Sequence, residues 1–250
     1  MNILNQAELD RLERQIRIEG IGMDGQIKIK QSCALVSRVG GVGGTAAMNL
    51  ARAGIGKLYL VHGGDIVPEY LNRMQLAYPM DIGRPCTDAF TDELRKINPD
   101  IEIEAINQHI TDVDVGSFID DVDIVVDGAP LFEERYTLNN IAVTHQKPMV
   151  SGAMYSMEGY ITTILPGTTA CLKCIYPQKP EYWTNIKVFP AIGPGPVIIG
   201  TMMAMEALKL ITGIGDTLQN KLWYFDLESN HIKTFSIEKN QSCEACGQLH

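Results

Sequence analysis

The sequence predicts an α/β fold: a doubly wound, mostly parallel, Rossmann-like sheet with a C-terminal antiparallel extension and a pair of zinc knuckles. Three observations predict it. Strand-like and helix-like segments alternate as far as residue 151, the pattern of parallel strands joined by helices. A glycine cluster, Gly40, Gly41, Gly43 and Gly44, falls between the first apolar run and a helical stretch, where a dinucleotide-type fold turns from strand to helix. Beyond that point apolar runs succeed one another as antiparallel strands do, and two Cys-x-x-Cys pairs flank them.

Taken in order, residues 7–31 read as two short helices, with Leu12, Ile16 and Ile18 inward and Arg11, Arg14 and Arg17 along the outside. Residues 34–36 form the opening strand, 45–53 a helix and 58–61 a second strand. A long loop punctuated by glycine and proline follows and carries Arg73 and Arg84; long loops after strand ends build sites. Then come a helix at 87–97 closed by Asn98-Pro99, a strand at 101–106, a short helix at 113–119, a strand at 122–126 ending at Asp127, a helix at 132–145 and a strand at 148–151. Residues 159–165 and 222–235 read as antiparallel strands around a helix at 197–211, and the run from Phe189 to Pro196 marks a crossover loop over a ligand. We divide the chain into an N-terminal helical arm (1–32), a Rossmann-like nucleotide-binding part (33–152) and an antiparallel part of the same domain that carries the paired cysteines (153–250).

At the glycine turn, backbone N–H groups of Gly40, Gly41 and Gly43 at a helix N-terminus suit phosphate. The acidic residue expected about 20 positions on, for the ribose, has its candidate in Asp65. Arg38 stands where the first glycine belongs. Either the turn needs no positive φ there, or it has been reshaped with a cation beside the phosphates.

Composition narrows the field. With 45% apolar residues in 250, the chain can bury a sizeable core, and 20% charged residues argue against disorder. A net charge of −9 disfavours nucleic acid as partner. The opening MNILNQAELDRLERQ has no apolar signal region, and the stretch 197–211 carries Glu206 and Lys209 and is short for a bilayer. A cytoplasmic protein without a membrane partner is expected.

Four of six cysteines form two knuckles, Cys171 with Cys174 and Cys243 with Cys246. Two such pairs suit a closed tetrahedral thiolate site for structural Zn2+; a redox dithiol needs only one pair, and disulfides suit exported chains. Clamping the pairs together folds the C-terminus back onto the middle of the chain. Cys33 and Cys86 read as buried thiols.

The succession RLERQIRIEGIGMDGQIKIKQS, GGVGG, LNRM, GRP, INPDIEI, DIVVDG, SGAMYSMEGYITTILPG, CLKC, MEALKLITG and CEAC runs the length of the chain. It resembles the ubiquitin-activating superfamily of ThiF and MoeB type, which binds ATP and adenylates a carboxylate, usually the C-terminus of a ubiquitin-like sulfur carrier. The resemblance implies a homodimer, a structural zinc and Mg2+ with the nucleotide. It also implies two catalytic arginines: Arg73 of LNRM, and Arg14 entering from the partner subunit. Asn72 and the glycine turn belong to the nucleotide site on the same grounds. Guanidinium suits the charge that develops as pyrophosphate leaves.

The chain departs from that pattern at several places. The family's Asp-Gly-Asp is His62-Gly63-Gly64, leaving Asp65; its lysine is Cys86, leaving Arg84 to supply charge; its magnesium Asp is Pro130, leaving Asp127 and Asp65 as stand-ins. Its thioester-forming cysteine has no counterpart between residues 185 and 194, so the activated acyl group is expected to pass to the reactive cysteine of a separate acceptor protein. Among such members the chain looks most like the branch that activates a small-molecule carboxylate, the pyridinol carboxylate of guanylylpyridinol in iron-hydrogenase cofactor assembly. The alternatives are activation of a sulfur-carrier C-terminus and a nucleotide-binding scaffold without catalysis.

Overall fold

The structure, a computed structural model, describes residues 3–184 and 189–249. Helix α1 (Gln6–Ile16) begins at a capping box in which Asn5 and Glu8 satisfy each other's backbone N–H groups at 2.9 Å. Helix α2 (Gly22–Gln31) follows. The nucleotide-type half then runs β1 (Cys33–Ser37), α3 (Gly41–Arg52), β2 (Lys57–Val61), α4 (Cys86–Ile97), β3 (Glu102–Ile106), β4 (Ile124–Asp127) and α5 (Phe132–Thr144). The C-terminal half adds β5 (Met149–Tyr155), β6 (Glu158–Ile164), the short helices α6 (Leu172–Ile175) and α7 (Glu181–Thr184), the long α8 (Pro194–Thr212), β7 (Lys221–Asp226) and β8 (His231–Ser236).

One eight-stranded sheet joins both halves, in the order β3-β2-β1-β4-β5-β6-β7-β8. Strands β3 to β5 pair in parallel and β5 to β8 antiparallel, as the sequence predicts. The strand order reverses between β1 and β4, and in open α/β sheets such a reversal opens a crevice at the carboxyl ends of the strands. Strands β1 and β4 are buried along their whole length, which explains their continuous apolar runs.

Several boundaries differ from expectation for local reasons. The glycines read as a turn are the first turn of α3, which starts at Gly41. Residues 113–119 are not an α-helix but 3-10 turns, where the Asp114 carboxylate accepts from Gly116 N. The strand expected to end at 151 runs to Tyr155, because its last residues pair with β6 across a hairpin that Ser156 closes at φ 58. Helix α8 starts at Pro194, since proline is tolerated in a first turn where no N–H partner is needed.

Helix α8 is long and apolar enough to cross a membrane on those criteria alone, and here it is a core helix. It lies on α3 through Gly200, where an added Cβ would stand 2.3 Å from the Val42 carbonyl oxygen, and on β5 through Gly152, where it would meet the Met203 sulfur at 2.5 Å. Its buried Glu206 accepts from Thr163 Oγ1, Leu218 N and Lys209 Nζ at 2.6–2.7 Å, so the one deeply buried carboxylate of this helix is fully partnered.

Candidate active site

A cavity of about 370 Å³ opens at the strand reversal, a size within the range of small-molecule sites. The β1–α3 turn supplies Arg38, Gly40, Gly41 and Val42; the chain after β2 supplies His62; the loop beyond it supplies Arg73; Gly128 to Leu131 close the far side after β4. The wall includes Trp183 and, from the crossover, Phe189 to Ala191. The crossover's residues 185–188, part of the cysteine-free stretch noted above, lie outside the described residues.

The turn resolves the question that Arg38 posed. Arg38 adopts φ 57, so the left-handed conformation is required and a non-glycine residue takes it. Its side chain is also a cation on the cavity wall. The Arg38 Nε donates to both oxygens of Glu134, at 2.8 and 2.9 Å, and His109 Nδ1 stands 3.3 Å from the same carboxylate. Glu134 is buried, on the first turn of α5.

The glycines divide the work. Gly40 and Gly41 lie on the wall; a Cβ on Gly41 would stand 2.9 Å from Pro196 Cβ. The N–H groups of Gly41, Val42 and Gly43 belong to a first helical turn, which has no acceptor of its own. Gly43 stands off the wall and serves packing: its Cβ would meet the Arg38 carbonyl oxygen at 2.4 Å, and a Cβ on Gly128 would meet Gly43 Cα at 2.7 Å. This close approach seats α3 on the ends of β1 and β4, and brings the helix N-terminus over the cavity.

Arg73 reaches the cavity from the loop after β2, with Nη1 donating to Glu69 O at 2.7 Å and Asn72 Oδ1 at 2.8 Å, its guanidinium 5.7 Å from the Tyr70 ring. Asn72 is off the wall; it holds Arg73 and donates to Ala191 O of the crossover at 3.3 Å. The other expected nucleotide residues are elsewhere. Arg84 spends its guanidinium on Asp81 and Asp92, both at 2.6 Å, and Asp65 is exposed beside Pro85. Arg14 is exposed on the last turn of α1 and takes no part in its own chain's cavity.

Asp127 does not fit magnesium. It is fully buried below the cavity floor, with Oδ1 accepting from Ala129 N at 3.1 Å and Oδ2 from Ser151 Oγ at 2.8 Å and Arg135 Nε at 3.3 Å. Among the described residues no carboxylate lines the cavity. Among the described residues, the positive charge that this wall offers phosphate is that of Arg38 and Arg73. Arg135 is itself buried and also donates to Ser151 and Tyr160.

A second cavity of about 180 Å³ adjoins the first through Ala153, Met154 and Trp183. Its lining combines six aromatic side chains, Phe132, Tyr155, Tyr160, Tyr176, Trp183 and Tyr224, with two charged ones, Arg135 and Glu158. The Phe132, Tyr176 and Trp183 rings meet edge to face at 5.3–5.6 Å, the arrangement that ring quadrupoles favour.

The four knuckle cysteines converge at the far end of the domain, their sulfurs all within 4.8 Å of one another. Neighbouring sulfurs lie 3.4–3.9 Å apart, against an edge of about 3.8 Å for a zinc tetrathiolate with 2.3 Å bonds. The donor set and spacing fit zinc. Burial pushes the Cys171 thiol up to about 11, so metal, not neutral solvent, must displace its proton. Burial likewise pushes Cys33 up to about 12 and Cys86 up to about 11, values that suit inert thiols.

Two features of the site are not signalled by residue pattern: the Glu134 brace behind Arg38, which rests on a contact 96 residues apart, and His62 on the wall, whose only signal is its place just beyond β2.

By its family and relatives the protein is an adenylyltransferase of the ubiquitin-activating type, built on a Rossmann-like sheet with a four-cysteine cluster. The chain belongs to the ThiF family, which it matches over residues 12–245. It is 40% identical to the heterocyst HesA protein of Trichormus variabilis, over 98% of this chain and 91% of that one. It is 30% identical to the sulfur carrier protein ThiS adenylyltransferase of Escherichia coli, over 98% and 97%. In fold it resembles the crystal structure of Escherichia coli MccB with ATP, with a TM-score of 0.83 at 23% identity over 98% of this chain and 75% of that one.

Proposed function

We propose that this protein adenylates the carboxylate of a small planar aromatic acid, of the pyridinol class, and passes the acyl group to the cysteine of an acceptor protein. The observation that carries the reading is the pair of adjoining cavities. One presents a glycine-opened helix N-terminus and two arginines; the other, of about 180 Å³, is walled by six aromatic rings with Arg135 and Glu158 among them. A dry cavity of ~150 Å³ accommodates a benzene ring, so one ring with its substituents fits the cage.

The acid's carboxylate oxygen attacks the α-phosphorus of ATP, forming an acyl–phosphate bond while the α–β bridging P–O bond breaks and pyrophosphate leaves with the electron pair. Arg38 and Arg73 stabilise the charge on the phosphates, and first-turn N–H groups of α3 orient them. Among the described residues the wall offers no carboxylate to a metal ion, so the cationic side chains that face the phosphates are these two guanidinium groups. An acceptor thiolate then attacks the acyl carbon and AMP departs. In a homodimer, Arg14 of each subunit serves the other's site.

A second reading is activation of a ubiquitin-like C-terminus, favoured by the identity shared with the ThiS adenylyltransferase. Pyrophosphate release from ATP separates the two. Release that depends on a pyridinol acid, and is lost with Arg73→Ala, supports the small-acid reading. Release that depends only on a Gly-Gly-ended carrier supports the second, and measurable ATP binding with no release for any carboxylate would leave a nucleotide-binding scaffold.

A further inference from the structure

Three residues line both cavities and so form the boundary between them: Ala153, Met154 and Trp183. Ala153 and Met154 belong to strand β5. Trp183 comes from the opposite side, on α7 just ahead of the crossover. Its indole is 8% exposed and braced at several points. Nε1 donates to Pro130 O, in the loop after β4, at 3.1 Å. The ring meets Phe132 edge to face at 5.6 Å and packs tilted against Tyr155 at 5.6 Å and Phe189 at 5.0 Å. A methionine side chain adapts to what passes it; an indole held in this way does not. The width of the boundary is therefore set by Trp183.

We propose that Trp183 is the specificity-determining residue for the acyl group: its indole and strand β5 bound a slot that admits flat, conjugated acids and rejects saturated, puckered ones. The assignment rests on the reading of the two cavities as phosphate and acyl sites. Reacting atoms must come within about 3–3.5 Å before a bond forms. With the phosphates beside Gly40, Gly41, Arg38 and Arg73, and the acid's ring in the second cavity, the carboxylate has to stand at the boundary. The bond that joins carboxylate to ring then lies alongside Trp183. An aromatic acid is one ring thick there, and its face can lie against an aromatic neighbour. A saturated ring is thicker, because its carbons pucker and carry hydrogens on both faces. Apolar walls discriminate size differences of about one methylene by roughly 10- to 200-fold.

The test is ATP–pyrophosphate exchange by the zinc-loaded protein, which reads adenylation without an acceptor. The acids are a hydroxypyridine carboxylic acid and cyclohexanecarboxylic acid, and the proteins are the native chain, Trp183→Phe and Trp183→Ala. The native protein is expected to favour the flat acid in kcat/KM by at least about tenfold, Trp183→Ala to bring the ratio within about threefold, and Trp183→Phe to lie between. The ratio is taken within each protein, so a general loss of activity does not move it. Tryptophan emission gives a readout that needs no active variant. With a non-hydrolysable ATP analogue present, the flat acid should shift the emission maximum of the native protein. The shift should be lost in Trp183→Phe, because the other tryptophan, Trp223, lines neither cavity. Equal use of both acids by the native protein, an unchanged ratio in Trp183→Ala, or no emission shift with an acid that is adenylated overturns the assignment while leaving the acyl site intact. A native protein that adenylates neither acid overturns both this assignment and the reading beneath it.

Discussion

Arg38 and Glu134 form a doubly contacted pair, Nε to both carboxylate oxygens at 2.8 and 2.9 Å, across 96 residues of sequence. The pair explains how a left-handed arginine persists in the turn. A non-glycine residue at positive φ is strained by about 1–2 kcal/mol, and the buried carboxylate offsets this by holding the guanidinium against the wall. A turn that would otherwise contribute only backbone N–H groups thereby also contributes a fixed positive charge.

Glu134→Gln should release that charge. We expect ATP affinity to fall about tenfold and stability by about 2 kcal/mol, less than for a fully buried pair because Arg38 keeps some solvent contact. Titration calorimetry and urea unfolding read the two effects separately. Unchanged affinity would show that Arg38 does not depend on Glu134 for its orientation.

Two glycine substitutions should separate packing from access. Gly43→Ala places a methyl 2.4 Å from the Arg38 carbonyl oxygen, whereas Gly40→Ala meets only the mobile end of Met74, at 3.1 Å. Gly43→Ala is expected to lose about 3 kcal/mol or more of stability and Gly40→Ala less than about 1 kcal/mol. Equal losses by denaturant unfolding would contradict the close-packing role given to Gly43.

The legible parts of this protein were those set by local pattern. Continuous apolar runs mark β1 and β4 because both are buried, and the knuckle spacing marks the four sulfurs because each pair comes from one turn. What stayed hidden depended on which side chain finds which partner. Arg84 and Asp127 have the right chemistry for a nucleotide site, but Asp81 and Asp92 take the first, and Arg135 and Ser151 the second. His62 stands where an acid is expected, and its burial against Phe90 depends on a contact that residue pattern does not show.

Zinc removal should loosen the C-terminal clamp. Residues 171–174 are joined to α5 through Leu172 N, which donates to Asn139 Oδ1 at 2.8 Å, and to the C-terminus through the knuckles and the Lys173–Glu244 ion pair at 2.6 Å. One zinc per chain is expected by elemental analysis of the native protein, and much less in Cys246→Ser. Chelation should lower the melting midpoint by several degrees and open residues 240–249 to protease, since structural zinc contributes folding free energy directly. An unchanged midpoint on chelation would argue that the cluster holds no metal.

Acid should destabilise the fold partly through His62. Its folded value of about 3 lies below the ordinary 6.5, so the unfolded chain binds the extra proton and stability rises with pH across that window. The contribution is complete above about 6.5 and is lost as pH falls toward 3. Between pH 7 and pH 4.5 the stability of His62→Leu relative to the native chain should therefore grow by about 2–3 kcal/mol. Parallel urea curves for the two proteins at both pH values check this, and a pH-independent difference would place the histidine in a wetter setting.

Arg14 supplies the test of assembly. It is exposed on α1 and absent from its own cavity, while Arg73 lies on the wall, so a homodimer that exchanges Arg14 has sites made from two chains. Arg14→Ala and Arg73→Ala should each lose about 100-fold or more in adenylation, the scale of removing one charge-stabilising group. In a mixture, each mixed dimer contains one site with both arginines intact, Arg73 from the Arg14→Ala chain and Arg14 from its partner. Co-refolding equal amounts should then restore roughly a quarter of native pyrophosphate release, because about half of the dimers are mixed and half of their sites are complete. No recovery on mixing, with each variant still binding ATP, would mean that Arg14 does not act across subunits.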